Sequence, residues 1–119
     1  MAKDEISAIK ASFERAKAFL NAGDAKTAEK ICRSSINKIS NGDPNLQVLL
    51  CVALIRQNRS GAAVKRLKHT LRMFPEFPQA HEELGNALLA QNKPEKAIEA
   101  FKKSIEIKKL TNATKRLWL

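Results

Sequence analysis

Apolar residues in this chain return after a fixed interval of 34 positions. Four pairs share that separation: Leu50 and Leu84, Leu54 and Leu88, Ala63 and Ala97, and Leu67 and Phe101. An earlier segment carries the second half of the pattern, with Ala28 placed 35 residues before Ala63, which indicates a one-residue insertion. A period of this length is typical of solenoids, in which each repeat is one supersecondary unit that stacks on the next.

Each repeat is predicted to consist of two helices. Apolar residues recur at helical spacing, for example at Ala97, Phe101 and Ile105. Residues that favour helix starts lie between such segments; the predicted N-caps are Asp24, Asp43 and Ser60, and the predicted first helical residues are Pro44, Pro78 and Pro94. We expect Pro75 to end a helix, and Asn41 with Gly42 to form a turn. No segment alternates polar and apolar residues for long enough to predict a sheet.

With Gly85 and Pro75 added, this pattern resembles the tetratricopeptide repeat family, whose unit is a helix-turn-helix of 34 residues. Several positions depart from the family pattern. Among them, Cys51 replaces a glycine and Lys109 stands where a proline is usual. The resemblance implies an all-α fold. The implied fold is a right-handed α-solenoid of three helix-turn-helix repeats plus a C-terminal helix.

The same resemblance sets the expected boundaries. Residues 1–8 extend the first helix, and the three repeats occupy residues 9–43, 44–77 and 78–111. Residues 112–119 are predicted to form a capping helix or the start of a truncated fourth repeat. The ending Leu117, Trp118 and Leu119 favours the truncated repeat, because a natural terminus rarely leaves three large apolar residues exposed.

The family binds peptides on a concave face lined by the first helix of each repeat. Carried over to this chain, the candidate contact residues are Lys10, Phe13, Lys17, Leu20, Val48, Val52, Ile55, Arg56, Asn86 and Leu89. The first helix of repeat 2 already has one apolar stripe, and a second one is formed by Val48, Val52 and Ile55. A helix with two apolar faces is either buried on both or binds a partner. We therefore keep two alternatives: the stripe docks a partner, or the curvature of the solenoid or the N-terminal helix covers it.

Some family members hold a C-terminal carboxylate of a chaperone with five polar side chains. At those places this chain has Phe13, Lys17, Leu49, Gln79 and Glu83. None of the five matches, although Lys17 is basic, so an acidic chaperone tail is not the predicted ligand. Lys10, Lys17 and Arg56 still favour acidic or carboxylate-bearing segments.

The chain is strongly basic, with 22 Lys and Arg against 12 Asp and Glu and a net charge of +10. No acid occurs between Asp43 and Glu76, and a basic patch there comprises Lys65, Arg66, Lys68 and Arg72. Such a patch attracts nucleic acid or an acidic partner. It lacks aromatic residues for stacking on bases, which weakens the nucleic-acid interpretation. The other interpretation is a solvated face that keeps the protein in solution.

The sequence lacks the motifs that mark several classes of enzyme and metal-binding protein. No phosphate loop, dinucleotide fingerprint, nucleophile elbow or zinc spacing is present, so we expect no metal, no cofactor and no enzyme activity from the chain by itself. The longest apolar run, Val48 to Ile55, is too short to span a membrane. Residues 1–10 do not form a secretion signal. Cys32 and Cys51 suit reduced, buried thiols, which favours a cytoplasmic location.

The predicted function is a protein–protein interaction module that binds a partner segment in the concave groove. One alternative is an N-terminal scaffold or dimerisation fragment of a larger enzyme such as a transferase. The segment from Gly61 to Leu89 looks similar to the N-terminal repeats of bacterial sulfotransferases and glycosyltransferases. A further alternative is a basic repeat that binds nucleic acid, and self-association is also open.

Overall fold

The computed structural model describes residues 3–38 and 43–118, which form six α-helices in three consecutive pairs. The helices are α1 (Lys3–Asn21), α2 (Ala25–Asn37), α3 (Pro44–Arg56), α4 (Ser60–Met73), α5 (Pro78–Ala90) and α6 (Pro94–Trp118). The described residues contain no strand. The predicted all-α solenoid of helix pairs is therefore confirmed.

Local capping explains where most helices begin. The Asp24 carboxylate accepts a hydrogen bond from the backbone N–H of Thr27 at 3.1 Å, and Asp43 accepts one from Leu46 at 3.2 Å, so both predicted N-caps are confirmed. Proline opens α3, α5 and α6, as predicted. The prediction for Ser60 is wrong, since Ser60 is already the first residue of α4. The predicted turn at Asn41 and Gly42 lies outside the described residues.

Small residues allow the two helices of a repeat to cross closely. Ala28, Ala63 and Ala97 are all completely buried. At Gly85, an added Cβ would lie only 2.6 Å from the ring of Phe101, so the crossing of α5 and α6 requires glycine. The equivalent position one repeat earlier is Cys51, whose Sγ lies 3.8 Å from the carbonyl oxygen of Ala63. These positions belong to one core that is continuous through the three pairs.

The order of contacts shows how the array curves. The first helices of successive repeats touch, because α1 packs against α3 and α3 against α5. Within the described residues, α2 does not pack against α4, nor α4 against α6. An array whose first helices meet while its second helices spread apart must curve with the first helices inside. We call the surface of α1, α3 and α5 that points to the inside of this curve the inner face.

The last helix is longer than its counterpart in the preceding repeat. Helix α4 ends at Met73, two residues before Pro75, whereas α6 runs 25 residues to Trp118. The residue 34 positions after Pro75 is Lys109, and the sequence from there to residue 118 contains no proline or glycine to end the helix. Residues 112–118, assigned above to a capping helix or a fourth repeat, thus continue α6 without a break.

Candidate functional site

The structure places the ten predicted contact residues at three levels of exposure. Leu20 and Val48 are core residues, only 4% and 8% exposed. The half-buried members are Phe13, Val52 and Ile55, and the exposed members are Lys10, Lys17, Arg56, Asn86 and Leu89. The part of the predicted surface that a partner could reach is therefore apolar at four positions and basic at three, with one amide.

The position of α3 explains its unusually apolar sequence. This helix packs against α1, α2, α4 and α5, so it has neighbours on both sides. Leu50 and Leu54 on one stripe are completely or almost completely buried, and Val48 on the other stripe is buried too. Val52 and Ile55 remain half-buried. Stacking of the repeats thus covers part of the second stripe and leaves part accessible.

Arg56 ties two neighbouring first helices together. Its Nη1 donates a hydrogen bond of 2.8 Å to the carbonyl oxygen of Leu20, near the C-terminal end of α1. A cation is stabilised at that end of a helix, because the last carbonyl groups carry partial negative charge. The guanidinium is therefore held in one place although the residue is exposed.

A half-buried carboxylate lies on α5 beside one of the predicted contacts. The Asn86 Nδ2 donates a hydrogen bond to Glu83 Oε2 at 3.2 Å. Burial raises the pKa of the Glu83 carboxyl, and the hydrogen bond from Asn86 and the charge of Arg56 only partly oppose this. From the sequence, Glu83 was predicted only as one of the five residues that do not match the side chains with which some family members hold a chaperone carboxylate. The signal for its partial burial was the 34-residue period, since Glu83 is equivalent to the apolar residue Leu49, which is buried.

The N-terminal end of the inner face contains a shallow cavity of about 330 Å³. It lies between the first half of α1 and the start of α3, and its lining residues are Ile6, Ile9, Lys10, Phe13, Asp43 and Asn45. Of these, Lys10 and Phe13 belong to the ten predicted contact residues, and Asn45 also falls at a groove position of the family pattern. The spacing of Ile6, Ile9 and Phe13 at i, i+3 and i+7 could have shown that the apolar surface extends into residues 1–8.

On the outer side, the spread of the second helices opens a cleft of about 440 Å³ between α2 and α4. Two members of the predicted basic patch, Lys65 and Arg66, line it, together with Arg33 and His69, which the patch did not include. Lys68 and Arg72 are exposed on α4 and do not line the cleft. Periodicity within one helix could not reveal that Arg33, from α2, comes to the same place.

Some of the positive charge on this side is used within the fold. The two carboxylate oxygens of Glu29 each accept a hydrogen bond of 2.8 Å, one from Arg33 and one from Arg59. Gln57 Nε2 donates a further one at 3.0 Å. Burial works against ionisation of Glu29, but these bonds and the charges of Arg33 and Arg59 lower its pKa overall. Glu29 therefore links α2 to the residues that follow α3.

Both cysteines of the chain are buried and poorly suited to act as nucleophiles. Cys32 and Cys51 are free and buried, and burial raises the pKa of their thiols to about 11 and about 12. Both therefore stay protonated and unreactive near neutral pH. Within residues 3–38 and 43–118, no three His, Cys, Asp or Glu side chains form a group that could hold a metal ion. Among the described helices, none is both long and apolar enough to cross a membrane.

Comparison with known proteins identifies the repeat. The tetratricopeptide repeat family matches residues 50–109, from the middle of α3 into α6. A curated relative from Saccharomyces cerevisiae, the small glutamine-rich tetratricopeptide repeat-containing protein 2, is 32% identical over 105 residues. That match covers 79% of this chain and 30% of the relative, so the chain spans less than a third of that protein's length.

Solved structures share the fold at lower sequence identity. The O-GlcNAc transferase of Thermobaculum terrenum, solved as a mutant, superimposes with a TM-score of 0.79 at 22% identity, over 90% of this chain and 20% of the transferase. The protein MamA of MSR-1 superimposes with a TM-score of 0.70 at 19% identity, over 87% of this chain and 59% of MamA. Both matches concern the arrangement of helices.

Proposed function

Because the chain belongs to the tetratricopeptide repeat family, we propose that it binds a segment of a partner protein along its inner face. Repeats of this family are generally protein–protein interaction modules. Their curvature produces an extended concave surface suited to that task. In this proposal the chain by itself positions a partner and performs no chemistry.

The observation that carries the proposal is the composition of the accessible inner face. Phe13, Val52, Ile55 and Leu89 retain exposed apolar surface on three adjacent helices. Burying an apolar side chain of this size contributes roughly 1.5–3 kcal/mol when burial is complete, so even partial burial of several would drive association. The ligand that fits is a segment with several apolar anchor residues.

Charge gives this segment a direction. Lys10 and Lys17 are exposed on α1, whereas the half-buried acid Glu83 lies on α5. Acidic residues of a partner would be attracted to α1 and repelled near Glu83. We therefore expect the acidic end of the segment to lie over α1 and its apolar or neutral end over α5.

The test starts from peptides selected on the purified protein from a random displayed library. Leu89→Glu and Val52→Glu should each weaken the selected peptides, because they put a charge within the apolar part of the inner face. Leu89→Glu is the cleaner variant, since Leu89 is 51% exposed and its replacement disturbs little of the core. The matched control is Met73→Glu, on α4, where the native side chain is also 51% exposed.

A peptide that binds Leu89→Glu and Val52→Glu as well as the native protein would place its site elsewhere and contradict the proposal. Circular dichroism of each variant shows whether the fold is kept. Sensitivity to Met73→Glu alone would point to α4 as the binding element.

A second candidate function is a scaffold within a larger enzyme. The likeness to part of the O-GlcNAc transferase structure favours it, since helical repeats of this kind form a portion of that protein. The test is to determine the length and sequence of the protein that the native cell produces from this gene. A catalytic domain in the same polypeptide would support the scaffold function. Detection of a product that ends at Leu119 would contradict it.

Binding of nucleic acid is a third candidate, favoured by the outer cleft in which Arg33, Lys65, Arg66 and His69 come together. Reversing the charge at Lys65, Arg66 and Lys68 should then abolish binding to a DNA or RNA oligonucleotide and flatten its salt dependence. Absence of binding by the native protein at low salt excludes this function.

A further inference from the structure

The outer cleft between α2 and α4 contains cations that the repeat pattern itself does not require. Lys65 and Arg66 lie on the α4 side of the cleft. The residues at the equivalent positions of α6, 34 residues later, are Glu99 and Ala100. The same fold thus accepts an acid and an alanine at these two positions. The concentration of cations is therefore a property of this one cleft and not of the array.

Arginines from both walls reach the outer cleft, Arg33 from α2 and Arg66 from α4. Between the walls lies α3, which packs against both helices and contributes Leu54, 1% exposed, to the lining. Burial raises the pKa of the Cys51 thiol on α3, and the charges of Arg66 and Arg33 both oppose that rise. The two guanidinium groups therefore act on the same part of α3, so one anion in the cleft would interact with both.

Each of the two arginines is held by a neighbour and keeps further donors. Arg33 Nε donates a hydrogen bond to Glu29 Oε2 at 2.8 Å, and Arg66 Nη1 donates one to Gln47 Oε1 at 2.8 Å. A guanidinium has five N–H donors, so the Nη atoms of Arg33 and Nη2 of Arg66 can still bind a ligand. Because both groups are already positioned by the fold, less entropy is lost when a ligand binds.

The lining of the outer cleft is positive. Arg33, Lys65 and Arg66 are its cations, and the described lining residues include no acid. Glu29 bonds to Arg33, but its other oxygen bonds to Arg59 at 2.8 Å, so two arginines share one carboxylate. These three side chains keep a net positive charge, and Lys65 and Arg66 add to it. A ligand with more than one negative charge suits this surface.

We propose that the outer cleft binds a phosphate monoester, the group carried by a phosphorylated serine or threonine side chain. At neutral pH this group carries a charge of about −1.5 to −2 and has three strong acceptor oxygens. Guanidinium groups suit it because they donate paired hydrogen bonds to phosphate oxygens. Arg33 and Arg66 would bind it from the two walls, and Lys65 would add charge at the rim.

A nucleic-acid backbone fits the outer cleft less well. Its affinity comes from many phosphate contacts along an extended basic surface, or from bases that stack on aromatic side chains. The exposed acid Glu99 stands in place of Lys65 at the next junction, so the basic surface does not continue along the array. The described lining contains no Phe, Tyr or Trp. The cleft therefore suits one phosphate group better than a chain of them.

The probe is a short peptide of glycine and serine with one central phosphoserine. It is added at millimolar concentration and constant ionic strength to isotope-labelled protein, whose amide shifts locate the binding site. We expect the shifts to concentrate at the lining of the outer cleft, on α2 and α4. The peptide with glutamate in place of phosphoserine should bind roughly tenfold more weakly, because it offers a smaller charge and fewer acceptor oxygens. Inorganic phosphate, added alone, tests the free anion.

Protein variants test the assigned residues. Lys65→Glu and Arg66→Ala introduce the residues that α6 has at the equivalent positions, and each should weaken the phosphopeptide by roughly tenfold or more. Arg66→Lys should recover only part of the loss, since lysine keeps the charge but not the paired donors. The matched control is Lys103→Glu, the same charge change at an exposed residue of α6, which should leave binding nearly unchanged.

Leu89→Glu on the inner face should also leave phosphopeptide binding unchanged, so failure at the outer cleft is distinguishable from failure of inner-face binding. Circular dichroism shows whether each variant keeps its fold. Because Lys65 is exposed, Lys65→Glu tests the cleft without disturbing the core.

Four results would contradict a phosphate monoester site. Absence of shifts at the cleft with several millimolar phosphopeptide excludes binding, and equal binding of the glutamate peptide reduces it to general attraction of anions. Tighter binding of inorganic phosphate than of the phosphopeptide makes a free anion the ligand. An oligonucleotide without terminal phosphates that binds more tightly than the phosphopeptide, and that Lys65→Glu weakens, assigns the cleft to nucleic acid.

Discussion

At the scale of single residues, the tightest constraint is the contact of Gly85 with Phe101. The preceding repeat has a different pair of residues where its two helices cross, with Cys51 in the glycine position and Leu67 in the phenylalanine position. We infer that a side chain is tolerated at Cys51 because Leu67, and not an aromatic ring, takes the position of Phe101. The pair of residues, and not either one alone, therefore determines how closely the helices approach.

Gly85→Ala should destabilise the protein by about 1–3 kcal/mol, because the new methyl group would overlap the Phe101 ring. Chemical denaturation with urea measures the change. Adding Phe101→Leu, which imitates the Cys51 and Leu67 pair, should make Gly85→Ala much less costly than it is in the native background. Full additivity of the two substitutions would refute this explanation.

Gly61→Ala is the matched control. Gly61 also lies in a helix, but an added Cβ there would meet only the Gln91 side chain at 3.6 Å, an ordinary contact. We expect Gly61→Ala to stabilise the protein by roughly 0.4–1 kcal/mol, because the unfolded chain loses conformational freedom.

Two glutamates should respond to pH in opposite directions. The pKa of Glu29 is lowered in the folded protein, so its ionised form adds stability that is present above the ordinary pKa of 4.5 and disappears as the pH falls through the folded value. The pKa of Glu83 is raised, so its contribution is present in acid, below 4.5, and is lost as the pH rises through the folded value.

The measurement is the free energy of unfolding of Glu29→Gln and Glu83→Gln at several pH values from 3 to 7. Glu29→Gln should be destabilising at pH 7, and its deficit should shrink in acid. Relative to the native protein, Glu83→Gln should become more favourable as the pH rises. Parallel pH profiles for both variants would contradict the assigned environments.

At the scale of helices, the contrast between α4 and α6 shows what one residue can decide. Pro75 follows α4 closely, and its equivalent, Lys109, lies inside α6.

Lys109→Pro should therefore shorten α6 to about the length of α4. The expected result is a loss of helical circular dichroism that corresponds to about ten residues, 109–118, since proline removes a backbone donor and disfavours helix just before it. The melting temperature should change little, because Ile107 is the last buried side chain of α6 among those described, which reach residue 115. Lys109→Ala should keep the full helix, and an unchanged signal in Lys109→Pro would refute the argument.

At the scale of the whole molecule, the curvature of the solenoid determines which side chains are exposed on each surface. Contact between the first helices buries Leu20 and Val48 and leaves Leu89 open, while the spread of the second helices creates the basic cleft. The inner face and the cleft are therefore separate surfaces of one solenoid. Substitutions can address each of them independently, as the proposed controls require.

The sequence by itself determined the repeat, the three helix pairs and most helix starts, whereas the separate C-terminal helix that it predicted is part of α6. Those features depend on short-range patterns: the spacing of apolar residues, the proline positions, and the small side chains at each crossing. They recur every 34 residues and can be compared within one chain.

Only the tertiary structure decided which apolar stripe residues are covered, that Glu83 is half-buried beside Asn86, and that Arg33 joins Lys65 and Arg66. These properties depend on residues from different repeats meeting in space. A local pattern specifies a side chain's position on its helix, but its burial is set by the neighbours that the stacked repeats bring against it.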